Sequence, residues 1–146
     1  MRPGAALQFN PLAHRTTLFI DSHIGTLHEP LTGRRWDRAE AMLRVRQRAT
    51  VLHRAGLRRG ERAFLHYGNK PEFFTDLLAI WCLGACAVPV DPRFTAFEIE
   101  QLVRAAAPAC SIWDGEVPAA ACAALQGAGV RLLDASEITS QAVRVL

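Results

Sequence analysis

GLRRGERAFLHYGNKPEFFTDLLAIWCLGACAVPVDPRFTAFEIEQLVRAAAPACSIWD, from Gly56 to Asp114, is the stretch whose reading decides the fold. Ala63 to Tyr67 is a compact, β-rich apolar run. Asn69 and Glu72 then stand at capping-box spacing, and Pro71 falls in a first helical turn, where its missing N–H costs nothing. This predicts a helix over 70–83 that is apolar on most of its girth through Phe73, Phe74, Leu77, Leu78, Ile80 and Trp81. Such a helix packs on more than one side. Gly84 ends it, and Cys86 to Val90 reads as a second strand, which Pro89 assigns to a sheet edge or a bulge. Thr95 and Glu98 repeat the capping spacing and open a helix to Ala106, with Phe97, Ile99, Leu102 and Val103 on its apolar side. Pro108 stops that helix, and a third strand follows over 110–113.

Toward the C-terminus, Pro118 to Gln126 is an alanine-rich helix ended by Gly127 or Gly129, and Val130 to Leu133 is a fourth strand. Short apolar strands alternating with helices imply βαβ units and a mainly parallel sheet, so the fold class is α/β. The strands at 63–67, 86–90 and 110–113 are expected at its centre.

Toward the N-terminus, Asp37 and Glu40 form another capping-box pair. The helix they open carries Ala39, Met42, Leu43, Ala49, Leu52 and Ala55 at helical intervals, ends at Gly56 and is amphipathic. Before it, the β-rich Thr16 to Asp21 and the turn-rich Ser22 to Gly33 predict a hairpin or a strand with a loose loop. Residues 1–15 read as an irregular arm, and 16–146 as one subdomain.

The composition is that of a globular chain: half hydrophobic, a fifth charged, formal net charge +3. The N-terminus has no sustained apolar stretch of the signal-peptide kind, and no run approaches the ~18 apolar residues of a membrane span. A cytoplasmic location is the simplest expectation. Cys82, Cys86, Cys110 and Cys122 form no C-x-x-C pair or zinc-ligand spacing, and read as buried structural thiols. The arginines at 34, 35, 38, 44, 46, 48, 54, 58, 59 and 62 interleave with the apolar period and read as a solvated face rather than a nucleic-acid stripe.

Motifs that carry chemistry are absent from the sequence. It has no G-x-G-x-x-G and no G-x-x-x-x-G-K-[ST]. Ser22, Ser111, Ser136 and Ser140 lie in no nucleophile elbow. His23, His28 and His66 lack the spacing of a metal pair, and Glu98 and Glu100 point to different sides of one helix. Lys70, the only lysine, reads as a solvated turn residue beside Pro71. No catalytic, cofactor-binding or metal-binding residue is assigned.

The matched positions Gly56, Gly60, Asn69, Glu72, Gly84, Ala85, Pro89, Pro92, Thr95 and Glu98 stand in the order and spacing of one family. The segment resembles the N-terminal part of the adenylate-forming, AMP-binding (acyl-activating) ligases, which include acyl- and aryl-CoA synthetases, luciferases and peptide-synthetase adenylation domains. The family has Asp where this chain has Glu61, so a carboxylate is kept. The resemblance covers roughly residues 16 to 134 and implies an ATP-dependent enzyme that converts a carboxylate to an acyl-adenylate and then to a thioester. ATP, magnesium and coenzyme A would serve the intact enzyme, with none expected on this chain alone. The phosphate loop and the catalytic lysine of the family lie further along than residue 146. The resemblance therefore implies a scaffold segment, inactive alone, whose partner is the remainder of the ligase domain and which self-associates when isolated. On sequence alone two other readings stand: a non-enzymatic βαβ module that binds a protein, and a flavodoxin-like nucleotide binder.

Overall fold

Ala63, Phe64, Leu65, His66 and Tyr67 are all buried, and a strand buried on both faces belongs at the centre of a parallel sheet. The computed structural model describes residues 24–144 and places that strand there. Strands β1 (Leu27–His28) and β2 (Arg35–Trp36) form an antiparallel hairpin. The helix α1 (Arg38–Arg54) follows, then β3 (Arg62–His66), α2 (Pro71–Cys82), β4 (Cys86–Pro89), α3 (Ala96–Ala106), β5 (Cys110–Trp113), α4 (Ala119–Gly127), β6 (Arg131–Asp134) and α5 (Ala135–Val143). The main sheet has the order β4-β3-β5-β6, parallel throughout, with Phe64 beside Val88 and Ser111. The strands at 63–67 and 110–113 are thus central as expected, whereas the one at 86–90 lies at an edge, where the missing N–H of Pro89 costs no ladder bond. The hairpin expectation holds over the described residues, whereas the strand expected over Thr16 to Asp21 lies outside them.

Alternate strand residues face opposite sides of the sheet and divide the core into two clusters. Ala63, Leu65, Tyr67, Cys110 and Ile112 pack with α1, α2 and α5 through Val45, Leu52, Ala79, Ile80, Ile138 and Ala142. Phe64, Val90 and Trp113 pack with α3 and α4 through Ile99, Val103, Ala121 and Leu125. The sheet is thus covered on both faces, and α1 packs against both α2 and α5.

Three helices end in the same hydrogen-bonded turn. After α1, Gly56 N–H donates to His53 O and Leu57 N–H to Leu52 O; Gly84 with Ala85, and Gly129 with Val130, repeat the pattern after α2 and α4. In this motif the glycine adopts the left-handed conformation and the next residue is apolar. Gly56, Gly84 and Gly129 have φ of 95°, 71° and 76°, while Leu57, Ala85 and Val130 are buried. Each turn thereby anchors the loop entering the next strand.

The helix starts divide differently from the sequence pattern. Thr95 and Glu98 form the full reciprocal capping box. Asp37 accepts from the Glu40 N–H, but the Glu40 carboxylate binds Arg44 instead of closing the box. Asn69 is no cap: Lys70 is the N-cap residue of α2 without a side-chain bond, and Glu72 is drawn away to Arg34. The buried face of α1 is Ala41, Met42, Val45, Gln47, Arg48, Val51 and Leu52, with Ala39 and Leu43 outside it. Phe97 likewise points to solvent. Helix α5 has no counterpart in the sequence reading, although Asp134 caps it by accepting from the Ser136 and Glu137 N–H groups.

Candidate functional site

The sheet order creates one place where a ligand site would be expected. Helix α2 leaves β3 on one face and α4 leaves the neighbouring β5 on the other, so the loops beyond the carboxyl ends of these strands diverge. The residues there are His66 at the end of β3 with Tyr67, Gly68, Asn69 and Lys70 after it, and Trp113 at the end of β5 with Asp114 and Gly115 after it.

That crevice is bridged by its own residues. Asp114 N–H donates to His66 O at 3.0 Å, and the Lys70 ammonium lies 2.8 Å from the Asp114 carboxylate. Lys70 is thus a half-exposed, paired residue rather than a purely solvated one. Beneath the bridge the His66 ring stacks on Trp113 with centroids 3.7 Å apart and planes 7° from parallel. His66 is fully buried, and neither ring nitrogen has a hydrogen-bond partner. Burial lowers its pKa to about 4, so the ring is neutral at pH 7. Trp113 Nε1 donates to Ser111 Oγ at 2.9 Å.

Helix starts near this edge are poor seats for a nucleotide phosphate. Pro71 deprives α2 of a first-turn donor, and Glu72 places a carboxylate there, 2.6 Å from Arg34. Thr95 and Asp134 occupy first-turn donors of α3 and α5, while α4 starts after Pro118 without a side-chain cap. No cluster of three or more metal-ligating side chains occurs among the described residues. Among the described residues these helix starts do not form a cradle for ATP with magnesium, and no step of a reaction is assigned to them.

A second polar centre lies on the opposite face of β3, where α1, α2 and α5 meet. The Arg48 guanidinium pairs with Asp76, donates to Thr139 Oγ1 at 2.8 Å and lies 3.3 Å from the Tyr67 hydroxyl. Tyr67 in turn donates to Asp76. Burial and the Asp76 charge raise the Tyr67 pKa, keeping the hydroxyl protonated as a donor. Every charge here has an internal partner, which marks a packing hub. A small cleft beside it, lined by Trp36, Arg44, Glu72 and Thr139 among others, has room for about one water molecule, far below the size of a ligand pocket.

Sequence reasoning missed this hub because it took Arg48 for part of a solvated arginine face. The signal available was position: Arg48 lies three residues after Val45 and four before Leu52, in the middle of the buried stripe. Other arginines of the group are tied down as well. Arg34 holds Glu29 and Glu72, Arg44 holds Glu40 and stacks over the Trp36 ring at 4.2 Å, and Arg58 binds the carbonyls of His53 and Leu57. The thiols meet the buried expectation only at Cys110: Cys82 and Cys122 are half-buried, and Cys86 is exposed. No described helix is long and apolar enough to cross a membrane.

Comparison with known proteins adds what the geometry leaves open. The model of the family described as AMP-binding enzyme matches residues 16–143. Among curated relatives, 4-coumarate--CoA ligase 4 of Arabidopsis thaliana is 33% identical over 87 residues, which cover 60% of this chain and 15% of that protein. Crotonobetaine/carnitine--CoA ligase of Proteus mirabilis is 29% identical over 80 residues, covering 55% and 14%. Among solved structures, ATP-bound MatB from Rhodopseudomonas palustris superposes with a TM-score of 0.76 at 22% identity, over 90% of this chain and 27% of that one. VinN with L-aspartate gives 0.75 at 18% identity, over 94% and 35%. The structural matches establish the shared fold, and the chain spans about one seventh of the length of these curated relatives.

Proposed function

The chain belongs to the AMP-binding enzyme family, and from that premise we propose that it is the N-terminal scaffold segment of an ATP-dependent, carboxylate-activating ligase of the acyl-CoA synthetase type. In this reading the complete enzyme, working in the cytoplasm, joins a carboxylate to AMP with release of pyrophosphate and then forms a thioester, coenzyme A being the acceptor. ATP and magnesium are bound by the remainder of the ligase. The present residues supply the sheet on which that remainder is built, and are catalytically silent alone.

The observation that carries the reading is the Lys70–Asp114 bridge. Adenylate formation develops charge on phosphoryl oxygens and needs preorganised cations at that locus. The one lysine of the chain, at the crevice between the ends of β3 and β5, is instead paired with a carboxylate 2.8 Å away. Among the matched positions, Gly56, Gly60 and Gly84 serve turns, and Thr95 and Glu98 cap α3.

Titration of the purified 146-residue chain with magnesium–ATP, followed by calorimetry, tests this. The expected result is no saturable binding up to millimolar nucleotide. Saturable binding abolished by Asp114→Ala or Lys70→Ala would favour a free-standing nucleotide binder instead.

A further inference from the structure

Seven large apolar side chains are exposed among the described residues, and their distribution is uneven. Four of them are aromatic: Phe74 and Trp81 on α2, 48% and 42% exposed, and Phe94 and Phe97 at 37% and 68%. All four belong to the elements that flank β4 in the chain, α2 before it and the Phe94–Phe97 segment after it. Phe74 and Trp81 are seven residues apart and share one side of α2 with the half-buried Leu77 and Leu78. The β6 end of the sheet differs. Helices α4 and α5 carry no aromatic residue, and Arg131 of β6 reaches across to the Ala55 carbonyl at the end of α1.

Strand β4 is itself an open edge. Cys86 N–H and Val90 N–H donate inward, to Glu61 O and Leu65 O, so Ala87 and Pro89 turn their backbone groups outward. Pro89 has no N–H, which leaves Ala87 as the outward donor of the strand. An incoming strand would find a short ladder there, between α2 packed on one face of the sheet and α3 on the other.

Resting on the scaffold reading, we propose that the β4 edge, with Phe74 and Trp81 on one side and Phe94 and Phe97 on the other, is the seam along which the remainder of the ligase domain docks. The occupant is the polypeptide that completes the fold, because the chain accounts for 27% of MatB and 15% of 4-coumarate--CoA ligase 4. Exposed aromatic side chains on the elements that flank an open parallel edge are the surface such a continuation covers. With few outward backbone donors available, the joint is made mainly by apolar packing.

Thiol footprinting reads the seam directly, since Cys86 is exposed at the head of β4 and Cys122 on α4 is a half-buried reference. In the 146-residue chain, iodoacetamide should alkylate the exposed Cys86 readily. When the chain is mixed with, or continued into, the ligase polypeptide that completes the fold, Cys86 labelling should fall roughly tenfold or more relative to Cys122. Phe74→Glu with Trp81→Glu should weaken the association, and Leu43→Glu on α1 should leave it unchanged. Association with Cys86 as reactive as before, or with protection confined to Cys122, overturns the seam and leaves the scaffold reading standing. Failure of any ligase polypeptide to continue from or bind this chain overturns the scaffold reading itself.

Discussion

Arg48 of α1 and Asp76 of α2 form an ion pair in the interior of the molecule, with Arg48 Nη2 2.7 Å from Asp76 Oδ2 and Nε on the other carboxylate oxygen. Both side chains are almost fully withdrawn from water. Tyr67 beyond β3 and Thr139 on α5 supply further hydrogen bonds, so four parts of the chain meet at one guanidinium. Removing one member of such a pair strands a buried charge, which costs about 3–5 kcal/mol. Arg48→Met should therefore destabilise the chain by about that amount in urea unfolding. The Arg48→Met/Asp76→Leu double variant should recover much of the loss, because well-packed apolar replacements of a buried pair are close to neutral. A double variant no more stable than the single one would contradict this account of the hub.

The buried, unpartnered His66 gives the fold an acid-sensitive point. Its pKa of about 4 lies below the unfolded value of 6.5, so between these pH values the unfolded chain binds the extra proton. Stability contributed by keeping the ring neutral is fully present above pH 6.5 and is lost as pH falls toward 4. The full effect is on the order of 3 kcal/mol, from ~1.4 kcal/mol per pK unit. His66→Phe keeps an aromatic ring against Trp113 and removes the titration. The stability of that variant, measured by denaturant midpoint, should be flatter with pH from 6.5 to 4 than that of the parent chain. Equal slopes would show that other groups govern the acid limb.

The parallel α/β order was legible in the sequence because each strand is a short apolar run and each helix is punctuated. Gly56, Gly84 and Gly129 each stand where a helix must turn into a strand, and Pro89 marks the edge position that β4 occupies. Where sequence reading failed, tertiary partners had outbid local ones. Glu72 has the spacing to cap α2 but bonds Arg34, which is 38 residues away in the chain. Arg48 is indistinguishable by type from its solvated neighbours until Asp76 is brought to it by the packing of α2. Helix α5 went unread because Asp134 ends a strand and caps a helix at once, leaving no loop between the two. The Lys70–Asp114 bridge was not legible, because it depends on β3 and β5 being neighbours.

The caps provide a graded test of these assignments. Thr95→Ala removes the acceptor of a complete capping box, and Asp134→Ala removes the acceptor of two N–H groups at the start of α5. Each should cost about 1 kcal/mol. Asn69→Ala, at a position with the sequence signature of a cap but no bond to α2, should stay within about 0.5 kcal/mol of the parent. Thermal or urea unfolding of the three variants side by side checks the order.

The measurement that bears most directly on the scaffold assignment is carboxylate-dependent exchange of labelled pyrophosphate into ATP by the purified 146-residue chain, across fatty, aryl and amino acids. The account predicts no exchange above the protein-free background for any acid, with or without magnesium. It also predicts exchange when the ligase polypeptide that completes the fold is supplied. Robust exchange by the chain alone, abolished by Lys70→Ala, would contradict it, because a lysine bridged to Asp114 would then be the phosphate ligand.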